Sequence, residues 1–149
     1  MIGHGSVLGF DVGRRRIGVA IGSALGGGAR PVAVIDVHEG VADARQLEKV
    51  MREWRPAGCV VGDPQTLSGE SQPIRVFARA FAVMLKREFK LPVVMVDERS
   101  SSVEAARDFA QRRAEGRSKR RDANALDAMA AAIIVERWIA APEDAIEIE

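Results

Sequence analysis

The chain has a single cysteine, Cys59, so no disulfide can form within it. That residue stands in an apolar run, where a small buried hydrophobe is a better reading than a nucleophile. The two histidines, His4 and His38, fit no Cys/His ligand spacing, which disfavours zinc. No apolar stretch reaches the length that spans a bilayer, and no basic segment followed by a long apolar run opens the sequence. A cytoplasmic protein without a membrane partner is therefore the expectation. An excess of one charge is lacking too: 22 Lys and Arg against 21 Asp and Glu leave a formal charge of +1. The distribution says more than the total. Seven basic residues and two acids lie between Arg107 and Arg121, whereas the last eight residues hold four acids and no base. Such a field permits a polyanionic partner without requiring one, since a solvated basic loop has the same composition.

What is present is the composition of one folded unit. The 149 residues are 47% apolar and 29% charged, enough for a sheet with helices around it and short for two cores. The expected organisation is one domain over residues 1–141, followed by a short acidic tail over 142–149 that begins at Pro142. Val7 to Phe10 and Ile17 to Ile21 read as two strands of a hairpin. A glycine-rich loop from Ser23 to Arg30 leads to a third strand over Val32 to Val37. The period then changes: Leu47, Val50, Met51 and Trp54 lie on one face of a helix within Val41 to Trp54, ended by Pro56. Gly58 to Gly62 is a short buried strand and Ile74 to Phe89 an amphipathic helix. Val93 to Val96 is another strand. Helices are expected over Ser102 to Arg113, capped by Ser101 or Ser102, and from about Ala123 to Ala140, capped by Asp122. Ala114 to Arg121 reads as a loop between them. A hairpin meander followed by alternating helices and strands predicts an α/β fold with a mixed five-stranded sheet.

Three acids carry the chemistry. Asp11 closes the first strand beside Gly13, and a carboxylate at a strand end is exposed yet rigidly mounted, as a metal ligand should be. An isolated Asp before a turn is ordinarily a turn residue. Asp97 and Glu98 end the strand Val93 to Val96, and since successive side chains point to opposite faces, only one of them aims readily at a centre shared with Asp11. Asp127 is in helical register with Ala130, Ala131, Ile134 and Trp138, an apolar stripe where a carboxylate needs a metal, a cation or a hydrogen-bond partner. The helix N-terminus, about one turn away, is the competing explanation for it. Asp11, Glu98 and Asp127 together can form an oxygen-rich site for Mg²⁺ or Mn²⁺. Two such ions about 4 Å apart activate water and stabilise the departing oxygen in phosphodiester cleavage. Arg14, Arg15 and Arg16 lie just beyond Asp11, and Arg117, Lys119, Arg120 and Arg121 precede the Asp127 helix. Both segments suit phosphate-backbone contacts that read no bases.

These residues resemble the YqgF family, also called RuvX, of Holliday-junction-resolvase-like proteins and pre-16S rRNA nucleases. The likeness runs through Leu8-Gly9-Phe10-Asp11-Val12-Gly13, Arg16-Ile17-Gly18-Val19-Ala20, Val60-Val61-Gly62 with Pro64 and Gly69, Val96-Asp97-Glu98-Arg99, and Asp127 with Ala130-Ala131. It implies a ribonuclease-H-like fold with strand order 3-2-1-4-5. It also implies a metal-dependent endonuclease hydrolysing RNA phosphodiesters in 5′-end maturation of 16S rRNA, a step of ribosome biogenesis. By motif position Asp11, Glu98 and Asp127 are the catalytic acids and metal ligands, while Asp97, Arg99 and Asp63 support them. Asp63, where the family commonly has an apolar residue, is a turn residue before Pro64 or a fourth acid. Ile21-Gly22-Ser23 replaces a frequent serine-aspartate pair, and Ser101 and Ser102 replace threonines, so loop contacts and substrate preference differ more than the triad. The partner implied is precursor 16S rRNA or a pre-ribosomal particle. Two alternatives stand beside this reading: a resolvase acting on branched, four-way DNA junctions, and a ribosome assembly factor that binds rRNA without cutting it. The Asp11-Val12-Gly13 and Gly18 pattern also suggests an actin-like nucleotide domain, but that fold needs a second lobe.

Overall fold

The computed structural model describes residues 5–64, 73–97 and 120–149, with side chains in the last segment from residue 124 onward. Period-two alternation and β-branched content make strands of β1 (Ser6–Val12), β2 (Arg16–Ser23) and β3 (Ala29–His38), joined as antiparallel neighbours. A two-residue strand β4 (Val41–Ala42) folds back on β3. Its connection is Glu39-Gly40, both with positive φ (50° and 77°), the backbone that a two-residue hairpin turn demands. Helix α1 (Ala44–Trp54) follows, started by the Asp43 carboxylate accepting from the Gln46 amide at 3.0 Å and stopped by left-handed Arg55. Strand β5 (Gly58–Asp63), helix α2 (Pro73–Phe89) and strand β6 (Val93–Asp97) complete the alternating part. Helix α3 (Arg120–Ala140), a 3₁₀ turn (Pro142–Asp144) and β7 (Ile146–Glu147) end the chain.

The sheet has seven strands in the order β4-β3-β2-β1-β5-β6-β7, which corrects the expected five-stranded sheet of order 3-2-1-4-5. β1, β5 and β6 are parallel, and the rest of the pairings are antiparallel. The two strands missing from the expectation are two residues each, too short to show alternation. One was hidden at the start of a helical pattern and the other in acidic sequence. Residues 142–149, read as a tail, are tied down: Ile146 pairs with Met95, the Ile148 amide donates to the Val93 carbonyl at 2.9 Å, and Lys86 Nζ donates to the Ile148 carbonyl. The Ile148 side chain is buried in the core.

Alternation divides the sheet into two apolar faces. On one, Leu8, Phe10, Val12, Ile17, Val19, Cys59, Val61, Val93 and Met95 pack against Leu47 and Met51 of α1 and Phe81 and Leu85 of α2. The Phe10 and Phe81 rings meet edge to face at 5.3 Å. On the other, Val7, Ala20, Val60, Val94 and Val96 pack against Ala131, Ala132, Ile134, Val135 and Trp138 of α3.

Cys59 is the small buried hydrophobe its sequence context suggested. Desolvation pushes its thiol up to about 12, because burial penalises the thiolate. A disulfide reagent at pH 8 should therefore leave the native protein unmodified over hours and label one thiol per chain in 6 M guanidinium. Rapid labelling of the folded protein would contradict this burial.

Candidate metal and nucleic-acid site

The α3 face of β1 and β2 is paved with residues that have little or no side chain. A Cβ placed on Gly9 would lie 2.2 Å from Val135 Cγ2, and one on Gly22 would lie 2.6 Å from Val135 Cγ1. At Gly18 the obstruction is backbone: a Cβ there would lie 1.9 Å from the Asp127 carbonyl oxygen and 2.7 Å from the Ala128 nitrogen. Helix α3 thus sits directly on β2 at Asp127. Asp11 is the register partner of Gly18 across the hairpin. It has the parity of Val7 and Gly9, the residues of β1 that face α3. Register and packing therefore put Asp11 and the Asp127 backbone beside the same residue, Gly18, on the α3 side of the sheet.

Arg16 joins them. It opens β2 with the parity of Gly18, and its Nε donates to Asp127 Oδ2 at 2.6 Å, with the two side chains 29% and 25% exposed. The pair is charge-assisted and reachable from solvent. Asp127 is the eighth residue of α3, two turns in, because the helix begins at Arg120 rather than near Ala123. That places it beyond the reach of the helix N-terminus, which acts within the first turn. The cation that its apolar stripe requires is Arg16. Asp122 lies inside the helix and not at its cap, and Arg120 and Arg121 belong to its first turn rather than to a loop.

The other acids face the opposite way. Asp63 ends β5 on the α1/α2 face, is 5% exposed, and receives Arg75 of α2 in a forked pair, Nε to Oδ1 at 2.9 Å and Nη2 to Oδ2 at 3.3 Å. Asp97 is its register partner on β6. The Arg75 guanidinium is held above its usual pKa, first by the hydrogen bond and charge of Asp63 and further by the charge of Asp97. Asp63 is thus engaged in tying α2 to the sheet, and Asp97 shares its face rather than that of Asp11. Arg14 and Arg15 are exposed at the hairpin turn. Arg14 lines a cleft of about 270 Å³ with Gly40, Pro73, Ile74 and Phe77, on the α2 side, so the three consecutive arginines do not share one surface.

Glu98, Arg99, Arg117 and Lys119, together with the expected helix over Ser102 to Arg113, lie outside the described residues, as do the side chains of Arg120 and Arg121. Among the described residues no group of three or more His, Cys, Asp or Glu is disposed to hold a metal ion, and no helix is long and apolar enough to cross a membrane. The described acids of this region, Asp11 and Asp127, offer the hard carboxylate oxygens that Mg²⁺ or Mn²⁺ takes.

The sequence pointed to the acids but not to their counter-ions. Arg75 carries no local signal, and Arg16 is 111 residues from Asp127. The alternate small residues Gly18, Ala20 and Gly22 were the available sign that a helix backbone sits on this strand.

A family model described as RuvX, Holliday junction resolvase, matches residues 5–141. The chain belongs to the RuvX family. A protein of Xanthomonas campestris pv. campestris (strain B100) named "Putative pre-16S rRNA nuclease" is 65% identical over 140 residues, covering 94% of this chain and 90% of that protein. A protein of the same name from Xanthomonas oryzae pv. oryzae (strain PXO99A) is 64% identical over 141 residues, covering 95% and 91%. Among solved structures, Thermus thermophilus RuvC in complex with a Holliday junction substrate superposes with a TM-score of 0.55 at 18% identity, covering 97% of this chain and 100% of RuvC. The chain thus has an α/β, ribonuclease-H-like fold related to that of RuvC, here with a seven-stranded sheet.

The close seating of α3 in this RuvX chain is testable. Gly18→Ala should lower stability by about 2 kcal/mol or more in urea unfolding, since the added methyl meets helix backbone that cannot rotate away. A variant within about 0.5 kcal/mol of the wild type, the range of ordinary surface changes, would show that α3 does not rest on Gly18.

Proposed function

We propose that this chain is a metal-dependent endonuclease that hydrolyses RNA phosphodiester bonds in the 5′-end maturation of 16S rRNA, working in the cytoplasm on precursor 16S rRNA or a pre-ribosomal particle. The observation that carries the reading is that Asp11 pairs with Gly18 in the hairpin while the Asp127 backbone rests on that same glycine, in a chain of this family. Support for RNA as substrate comes from the name that its relatives bear.

Asp11, Asp127 and Glu98 are the proposed ligands of Mg²⁺ or Mn²⁺. Glu98, the acid of the Val96-Asp97-Glu98-Arg99 motif, is proposed on motif position alone. When bound, the cation supplies Lewis acidity toward water and phosphate. The protein's own part is positional. Asp11 offers its oxygens from a strand paired on both edges, so little freedom is lost on engagement. Arg16 holds the Asp127 carboxylate. Carboxylates alone repel a phosphate backbone, so Arg14 and Arg15, exposed at the hairpin turn, and Arg117, Lys119, Arg120 and Arg121 are proposed to bind and orient it. No histidine is required as general base. Asp63, Asp97 and Arg99 are supporting residues in this scheme, Asp63 through its hold on α2.

A second reading, cleavage of four-way DNA junctions, is favoured by the description of the family model and by the likeness to RuvC. Either backbone suits the same acids, and parallel assays on junction DNA and precursor 16S rRNA separate the two. For the RNA reading, Mg²⁺-dependent cleavage of precursor 16S rRNA should fall by at least about 100-fold in Asp11→Asn with circular dichroism and melting temperature retained. Undiminished cleavage by that folded variant would remove Asp11 from the site.

A further inference from the structure

The two described Arg–Asp pairs of this fold are built differently. Arg75 grips the buried Asp63 with two nitrogens on two oxygens. Such a forked pair on a carboxylate 5% exposed is a fixed tie between α2 and β5, because exchanging it would strand a buried charge. Arg16 reaches Asp127 through Nε onto Oδ2, and both side chains are a quarter or more exposed. A single-point, solvent-reachable pair is exchangeable at little cost. The Arg16 backbone is nonetheless firmly mounted. Its carbonyl accepts from the Gly13 amide at 2.9 Å, and its residue is in register with Asp36 of β3, so the guanidinium is delivered to Asp127 from a fixed root.

We infer that Arg16 is the resident counter-ion of Asp127: its guanidinium and a divalent cation are alternative partners of the same carboxylate. This rests on the metal reading above and assigns Arg16 a role other than simple phosphate contact. The physical reason is the geometry. A divalent cation takes carboxylate oxygens at about 2.0–2.6 Å, while a guanidinium nitrogen already lies 2.6 Å from Oδ2. Two positive groups at one carboxylate then stand within the few ångströms at which like charges disfavour each other. Arg16 is therefore a positioning residue that sets how tightly the site takes its cation. It keeps Asp127 aimed at the sheet and makes cation binding a replacement rather than an addition.

The test is Mn²⁺ binding to the full chain, read as free Mn²⁺ by electron paramagnetic resonance, alongside thermal unfolding with and without Mn²⁺. Arg16→Gln removes the competing charge and should bind Mn²⁺ about tenfold more tightly than the wild type. It should also melt lower than wild type without Mn²⁺ and gain more from its addition. A merely structural role would give the opposite sign, since a misplaced Asp127 weakens binding. Arg16→Lys, which keeps the charge on a flexible stem, should fall between the two and carries the test if the glutamine variant does not fold. Affinity in a folded Arg16 variant equal to or below that of the wild type overturns the inference while leaving the metal site standing. Mn²⁺ binding that is unchanged in both Asp11→Asn and Asp127→Asn, or no detectable site in any of these proteins, overturns the metal reading and this inference together.

Discussion

The backbone contact between Gly18 and Asp127 is the constraint on which the site depends. Helix α3 lies on β2 with no Cβ between them, and the same stripe of small residues at Gly9 and Gly22 admits Val135. From this seating follow the reach of Arg16 to Asp127 and the nearness of Asp127 to Asp11, whose strand position is opposite Gly18. A larger residue at position 18 would lift the helix and carry Asp127 away from β2 in one step. Packing and chemistry are here the same interaction: the apolar stripe that docks α3 is also the frame that aims its one acid in this region at the hairpin.

Strand alternation sorts the remaining acids. Asp63 and Asp97 are side by side at the ends of β5 and β6, on the face covered by α2, and Arg75 answers their charge. Asp11 and Asp127 belong to the other face, where Arg16 answers Asp127. Both groups lie near the same end of the sheet, where parallel strands of an α/β fold deliver their C-terminal residues, so proximity along the strands alone would not distinguish them. The side of the sheet does. A buried, two-point pair fastens a helix, and an exposed, one-point pair leaves a carboxylate open to exchange.

Much of this was legible from periodicity. The long strands and both amphipathic helices appear where period two gives way to period 3.6, and Asp127 was recognisable as an acid on an apolar stripe. β4 and β7 were not legible, because two residues cannot display a period, and β7 owes its place to pairing with β6 and to the burial of Ile148. Asp122 looks like a cap locally, whereas the helix continues through it to Arg120. The three arginines after Asp11 read as one basic cluster. In the fold they divide, since a hairpin turn sends Arg14 to the α2 side and alternation returns Arg16 to the α3 side.

What the sequence determined by itself is the list of chemical parts: a glycine-flanked strand acid, a helical acid among alanines, a strand-end Asp-Glu pair, and basic segments near both. These are properties of local spacing, and local spacing fixes which face of an element a residue occupies. What only the tertiary structure decided is which parts answer one another. Arg16 is bound to Asp127 across 111 residues of chain, and Arg75 serves Asp63 rather than solvent. Such pairings depend on how closely a helix settles on a sheet, and for Arg16 and Asp127 that distance is set by the absence of side chains at Gly9, Gly18 and Gly22 acting together.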